Sequence, residues 1–207
     1  MAAAYIHPSA LVETQDIGDG TRIWANVHIM AGAVIGPDCN VCDSAFIESG
    51  VRIGRGVTVK TGVSICEGIT VEDGAFIGPD AVFTNDLRPR SPRLPFMREK
   101  YATKQWLAPT RVGRGASIGA NATIGPGLVI GDWAMVAAGT VVVRHVAPHV
   151  LVVGNPARSI GHVCACAQRL TIDQGCAACA ACGRDYVVQG GTLTPVRPIE
   201  SWPDVIP

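Results

Sequence analysis

The chain has 207 residues, which is room for one principal domain and a small appendage. Its 17 Lys and Arg balance 17 Asp and Glu, so the counts carry no polyelectrolyte signature for nucleic acid or an anionic membrane and favour a small neutral or mixed-charge ligand. Met1 to Ala10 lacks a basic segment followed by an apolar core, and the most apolar stretch, Leu128 to Val143, is broken by Asp132 and glycines, so neither an export signal nor a bilayer span is expected and a cytoplasmic location is.

From Ile17 the chain repeats every six residues: Ile17, Ile23, Ile29, Ile35, Val41, Ile47, Ile53, Val59, Ile65, Val71 and Ile77. Four residues after each stands a mostly small apolar residue, from Thr21, Val27 and Ala33 to Ala75 and Ala81. Three residues after each stands Gly20, Asn26, Gly32, Asp38, Ser44 or a counterpart, a column rich in the residue types that tolerate positive φ. A short strand, a corner and a second inward residue fit neither the 3.6 period of a helix nor a long alternating strand. Three such units close a triangular coil of 18 residues, and stacked coils pair their strands in parallel about 4.8 Å apart. Each coil buries its apolar columns only against its neighbours, so many units must cooperate. The expected fold is therefore all-β, a parallel β-helix.

The pattern stops at Phe83 and resumes with Val112, Ile118, Ile124, Ile130 and Val136. Between them, residues 84–111 carry no repeat and hold Arg88, Pro89, Arg90, Arg93, Arg98, Lys100 and Lys104. A long structureless excursion from a regular solenoid is more often functional than accidental, and its cations suit phosphates. Beyond His162 the composition changes: Cys164, Cys166, Cys176, Cys179 and Cys182 crowd together, while Cys39, Cys42 and Cys66 are scattered through the first half. A chain of this size with no export signal is expected to keep its thiols reduced.

The units IGDGTR, IGRGVT and IGPDAV resemble those of the hexapeptide-repeat acyltransferases over about Ile6 to Ile160. The resemblance implies a left-handed winding, against the usual crossover preference, and a homotrimer with active sites between subunits. The strings TRIW (Thr21 to Trp24), HIM (His28 to Met30), EGITVED (Glu67 to Asp73), VFTND (Val82 to Asp86), PRS (Pro89 to Ser91) and VGNPAR (Val153 to Arg158) are similar to the branch that acetylates the 3-amino group of nucleotide-linked 3-amino-3-deoxy sugars. Val59-Lys60-Thr61-Gly62-Val63 is closer to the enzymes acting on dTDP-3-amino-3,6-dideoxyhexoses than to the UDP-sugar uronate branch, which carries Gln-Asn-Asn there; Ala25 stands where a His often follows TRIW. The implied reaction is acetyl transfer from acetyl-CoA to the amino group of a dTDP- or UDP-linked sugar.

That chemistry needs a neutral amine, an approach to the thioester carbonyl and a destination for the amine's proton. Glu67 and Asn85 lie 18 residues apart in unbroken register, so they are expected as stacked neighbours one coil apart. Asn85 would orient the amine through its carbonyl oxygen, as the resemblance also implies, and Glu67 would hold or accept the proton; Asp19, Asp43 and Asp73 occupy the same place in their units as solvated corner residues, and Glu67 reads either way. His28, Asp86, Arg88 and Arg90 are the candidate substrate contacts, although a solitary outward His such as His28 is more often just a surface residue. For acetyl-CoA, Ala120, Ala138 and Gly139 are small enough to let pantetheine approach the backbone, a size the repeat itself also demands, and Arg144 and Arg158 are the nearest cations for its phosphates.

Cys164-Ala-Cys166 and Cys179-Ala-Ala-Cys182-Gly183 resemble the two knuckles of a zinc ribbon, with Ala167 where the first knuckle usually has Gly and Cys176 as a possible substitute ligand. Four thiolates would make a closed structural site, supplying what so small a core cannot. The expected organisation is thus a β-helix at 1–160 with a loop at 84–111, a zinc-ribbon-like appendage at 161–190 and an extended tail at 191–207. Competing readings are acylation of another acceptor such as a 4-amino sugar, a non-catalytic solenoid for assembly, and a γ-type carbonic anhydrase, for which His7, His28, His145, His149 and His162 are poorly spaced.

Overall fold

A computed structural model describes residues 2–200. Three parallel sheets form the faces of a triangular β-helix. The first face begins with Tyr5–Ile6, Arg22–Ile23 and Asn40–Val41 and ends with Val150–Val153; the second runs from Leu11–Val12 through His28–Ile29, Phe46–Ile47, Ser64–Ile65 and Val82–Phe83 to Val141–Val142; the third runs from Val34–Ile35 to Val129–Ile130. Almost every strand is two residues long, the first outward and the second inward, because the next residues must already turn the corner.

The inward columns are the core. Ile23, Ile29, Ile47, Ile65, Ile77, Ile118 and Ile124 are fully buried, as are the small residues Val27, Ala33, Ala45, Val63 and Ala81 of the second column. Thr21, in that same column, survives burial because its hydroxyl donates to the Gly36 carbonyl at 2.7 Å and accepts the Cys39 amide at 3.0 Å. The corner column, from Gly20 to Asp80, has φ between +55° and +85° throughout, which explains its restriction to Gly, Asn, Asp and Ser. At Gly68 the need is double: φ is +85°, and a Cβ would stand 3.2 Å from the Leu107 side chain.

The loop is an insertion that leaves the register intact, since Phe76 pairs with Ser117 and Phe83 with Ile124. Phe83, where the Ile/Val pattern breaks, still fills its inward place and is buried. The expectation of a structureless loop ending at 111 is corrected on two points. Thr110–Val112 is already a strand of the third face, and the loop carries a turn of 3-10 helix at Pro95–Met97 leading into one helical turn at Arg98–Tyr101. An antiparallel bridge between Asp86 and Leu107 closes its neck. These are local hydrogen bonds and long-range contacts that no hexad pattern encodes.

The C-terminal boundaries also differ from expectation. Arg158–Val163 turns back antiparallel to Val150–Val153 and spans the expected limit at 160. Thr192–Pro195, assigned to an extended tail, is instead the third strand of a small antiparallel sheet with Cys176–Ala178 and Asp185–Gln189; residues 201–207 of that tail lie outside the described residues. The small sheet has its own core of Cys164, Leu170, Ala177, Cys179, Tyr186 and Leu193. It is locked to the last coil through His149, whose Nδ1–H donates to the Val163 carbonyl at 2.9 Å and whose ring meets Tyr186 edge-on at 5.0 Å. Burial holds that imidazole below its usual range, so it stays neutral in this role.

Candidate active site

Register alone decides which of the candidate residues stack. Ser64 pairs with Val82, Val82 with Thr123 and Thr123 with Val141 on the second face, so Glu67, Asn85, Pro126 and Arg144, each three residues further on, form one column along the corner toward the third face. Glu67 and Asn85 are the stacked neighbours expected: the Asn85 Nδ2 donates to the Glu67 carbonyl at 3.1 Å. A carbonyl cannot donate, so the amide nitrogen must face it. This leaves the Asn85 Oδ1 pointing away as an acceptor with no protein partner among the described residues. The Asn85 backbone is fixed as well, its carbonyl accepting the Ala108 amide at 2.9 Å where the loop returns.

Glu67 is held from both sides. Its amide donates to the Glu48 Oε2 at 2.7 Å, and its own Oε2 pairs with the Lys104 Nζ at 2.5 Å. Neither partner is visible as such in the sequence: Lys104 lies 37 residues away inside an aperiodic loop, and Glu48 has the look of a solvated corner acid. The sequence signal for Lys104 is no more than its membership of the loop's cations.

Asp86 follows Asn85 but faces the loop. Its carboxylate takes the Lys100 Nζ at 2.8 and 2.9 Å, the Tyr101 hydroxyl at 2.7 Å and the Arg88 amide at 2.8 Å. Partial desolvation works to raise its pKa, but Lys100, the Arg88 amide and Tyr101 together hold it below the usual carboxylate range. Arg88 and Arg90 are exposed and, with Pro89, Met97 and Lys100, line a surface hollow of about 650 Å³. His28 lies on the outward side of the second face, two rungs from Ser64, and so is not gathered with Asn85. Its Nε2 pairs with Glu13 at 3.0 Å, a contact that, with the Ala31 amide, holds the Glu13 carboxyl below its usual range.

The acetyl-CoA candidates divide between two edges of the second face. Ala120, Ala138 and Gly139 stand on its corner with the first face, where the Gly139 amide donates to the Ala120 carbonyl at 2.8 Å. Arg144 is on the opposite corner, in the column of Asn85, and shares with Arg158 a hollow of about 470 Å³ also lined by His145, Val150 and Ser159. His145, not singled out from the sequence, accepts the Val129 amide on Nδ1 at 2.9 Å, which leaves Nε2 to carry the proton.

In the appendage, the sulfurs of Cys164, Cys166, Cys179 and Cys182 lie within 4.8 Å of one another, with Cys164–Cys182 at 3.4 Å and Cys166–Cys179 at 3.5 Å; Cys176 is outside the cluster. Four ligands about 2.3 Å from one tetrahedral ion stand about 3.8 Å apart, so the donor set fits zinc. Burial pushes the Cys164 thiol up to about 12, whereas the Arg184 amide, and then its guanidinium, draw Cys182 down to about 6. The two knuckles turn alike: Ala167 has φ +69° and its amide donates to the Cys164 carbonyl, and Gly183 has φ +71° and donates to that of Cys179. Ala167→Gly is therefore expected to stabilise the appendage by about 1 kcal/mol, read as a later unfolding transition in its own tryptic or hydrogen-exchange protection.

Among the described residues no helix is long and apolar enough to cross a membrane. The pattern of the bacterial transferase hexapeptide (six repeats) family matches residues 16–49 and 109–144, and that of the hexapeptide repeat of succinyl-transferase matches 44–79. The chain is 46% identical over 190 residues to the dTDP-3-amino-3,6-dideoxy-alpha-D-galactopyranose 3-N-acetyltransferase of Aneurinibacillus thermoaerophilus, an overlap of 92% of this chain and 94% of that one. In fold it is similar to an N-acyltransferase from Bacillus cereus solved with dTDP and coenzyme A, with a TM-score of 0.51 and 18% identity over 78% of this chain and 83% of the other. A hexapeptide transferase family protein from Anaplasma phagocytophilum is alike at a TM-score of 0.52 and 14% identity over 78% and 80%.

Proposed function

The chain belongs to the hexapeptide-repeat transferases, among the N-acetyltransferases of nucleotide-linked 3-amino sugars, and from that premise we propose that its acceptor is a dTDP-linked 3-amino-3,6-dideoxyhexose. It moves acetyl from acetyl-CoA to the sugar's 3-amino group. The observation that carries this reading is the identity to one such enzyme across nearly the whole of both chains, appendage region included. The Val59 to Val63 stretch points to the same nucleotide.

The amine nitrogen attacks the thioester carbonyl, a C–N bond forms as the C–S bond breaks, and one amine proton leaves as the sulfur departs. Asn85 suits the first step: its Oδ1, which has no protein partner among the described residues and is held by the Nδ2 contact to Glu67, accepts an N–H of the neutral amine and aims the nitrogen's lone pair. Glu67 lies one rung away to hold the amine's proton. Arg88 and Arg90 on the loop suit the nucleotide phosphates, with Asp86 holding the loop in shape rather than offering a free carboxylate; His28, further along the same face, is left to the nucleotide or the sugar's far side. Arg144 and Arg158 suit the phosphates of coenzyme A, and Ala120, Ala138 and Gly139 leave the second face's other edge open to its pantetheine arm.

Two further assignments go with this reading. The four clustered thiols hold a structural zinc, for which their sulfur geometry is the support. The working unit is a homotrimer with sites between subunits, as the resemblance to the hexapeptide-repeat acyltransferases implies; outward apolar residues on the faces, Phe76, Val82 and Val129 among them, are 40% or more exposed in a single chain. A cytoplasmic setting follows from the acetyl-CoA and nucleotide-sugar pools on which the reaction draws.

Thiol release from acetyl-CoA, followed against a panel of dTDP- and UDP-linked 3-amino and 4-amino sugars, is expected to be fastest with a dTDP-3-amino-3,6-dideoxyhexose. A 4-amino sugar turning over faster would replace this acceptor. No release with any amine would leave the assembly reading.

A further inference from the structure

Lys104 makes one contact of consequence. It reaches from the loop to the Glu67 carboxylate at 2.5 Å, although its own side chain is 67% exposed and that of Glu67 28%. An exposed lysine is a weak strut, and the loop does not need this one. Its neck is closed by the Asp86–Leu107 bridge, by the Ala108 amide on Asn85, and by Lys100 and Tyr101 converging on Asp86, whose side chain is 10% exposed. Lys104 stands apart from this latch, in the turn that precedes Leu107.

What Lys104 does present is a primary alkylammonium, held on the carboxylate of Glu67, the residue stacked one rung from Asn85. The acceptor sugar, as it arrives at neutral pH, carries the same group: a primary amine bearing its proton. We infer that Lys104 is a placeholder for the substrate's ammonium, occupying on Glu67 the position that the protonated 3-amino group takes on binding. The inference rests on the reading of Glu67 and Asn85 as the amine site.

Substrate entry is then an exchange of one ammonium for another, and the half-buried carboxylate is never left without a cation. After acetylation the product is an uncharged amide, which cannot pair with Glu67, so Lys104 returns and the product is not held. Lys104 is on this account a positioning residue. It sets the balance between amine and amide without touching the thioester.

Titration calorimetry with dTDP-3-amino-3,6-dideoxygalactose and with its N-acetylated product, on the wild-type chain, Lys104→Met and Lys104→Arg, tests this. Removing the competing cation in Lys104→Met is expected to tighten the amine by about two- to fivefold, the range of an exposed ion pair. KM for the amine falls by the same factor at unchanged kcat, while affinity for the product does not change. Lys104→Arg, which keeps a cation within reach, stays within about twofold of wild type for both ligands. Weaker amine binding in Lys104→Met, equal tightening of amine and product, or Arg behaving as Met would each overturn the placeholder while leaving the function intact. Failure of all three proteins to bind the amine would overturn both.

Discussion

Replacing Asn85 with Ala is expected to lower kcat/KM for the amino sugar by about a hundredfold or more, a loss of about 2.7 kcal/mol of transition-state stabilisation. The size follows from what is removed. The Oδ1 is an acceptor without a protein partner among the described residues, and its direction is set by an Nδ2 contact to the Glu67 carbonyl. Without it the neutral amine keeps its rotational freedom at the moment of attack. The fold has less at stake, since the lost amide hydrogen bond is worth about 1 kcal/mol and the Asn85 backbone remains tied to Ala108. A variant with an unchanged melting profile and near-normal turnover would remove Asn85 from the chemistry.

Zinc removal has the other large effect, and it is confined to one end of the chain. The purified protein is expected to carry about one equivalent of zinc after dialysis, and stripping it with a strong chelator to unfold residues from about Cys164 onward, because a six-residue core around Tyr186 cannot hold three short strands by itself. Cys164→Ala does the same without chelator. The solenoid keeps its cooperative unfolding, since its columns of Ile and Val are continuous without the appendage. Less than about half an equivalent of zinc in carefully handled protein, or a stripped protein whose Tyr186 amide stays protected from exchange, would argue that packing alone suffices. Cys176 lies outside the sulfur cluster, so Cys176→Ala leaves the metal in place.

Several parts of the site were legible because the repeat converts sequence distance into space. A step of 18 residues is one rung, so Glu67 and Asn85 stack wherever the register is unbroken, and the positive-φ corners from Gly20 to Asp80 announce themselves by residue type. Asn85 itself stands where the pattern fails, and the contrast makes it visible. Arg144 and Arg158 were found as cations near the end of the coil, and they share one hollow. The loop resisted the same treatment. Its helical turn at Arg98–Tyr101, its neck and its latch on Asp86 depend on single contacts between residues of no shared period.

Composition and spacing by themselves fixed the solenoid, its inward columns and its corners, because each of these repeats a local rule that one strand already obeys; they crowded five cysteines into the tail, and the structure selected Cys164, Cys166, Cys179 and Cys182 from among them. Tertiary structure alone decided which groups meet across unrelated stretches: Lys104 on Glu67, Lys100 and Tyr101 on Asp86, Tyr186 against His149, and the third ribbon strand at Thr192–Pro195. A periodic chain fixes its neighbours by counting, whereas an aperiodic one finds them only when long-range packing selects one closed arrangement from many.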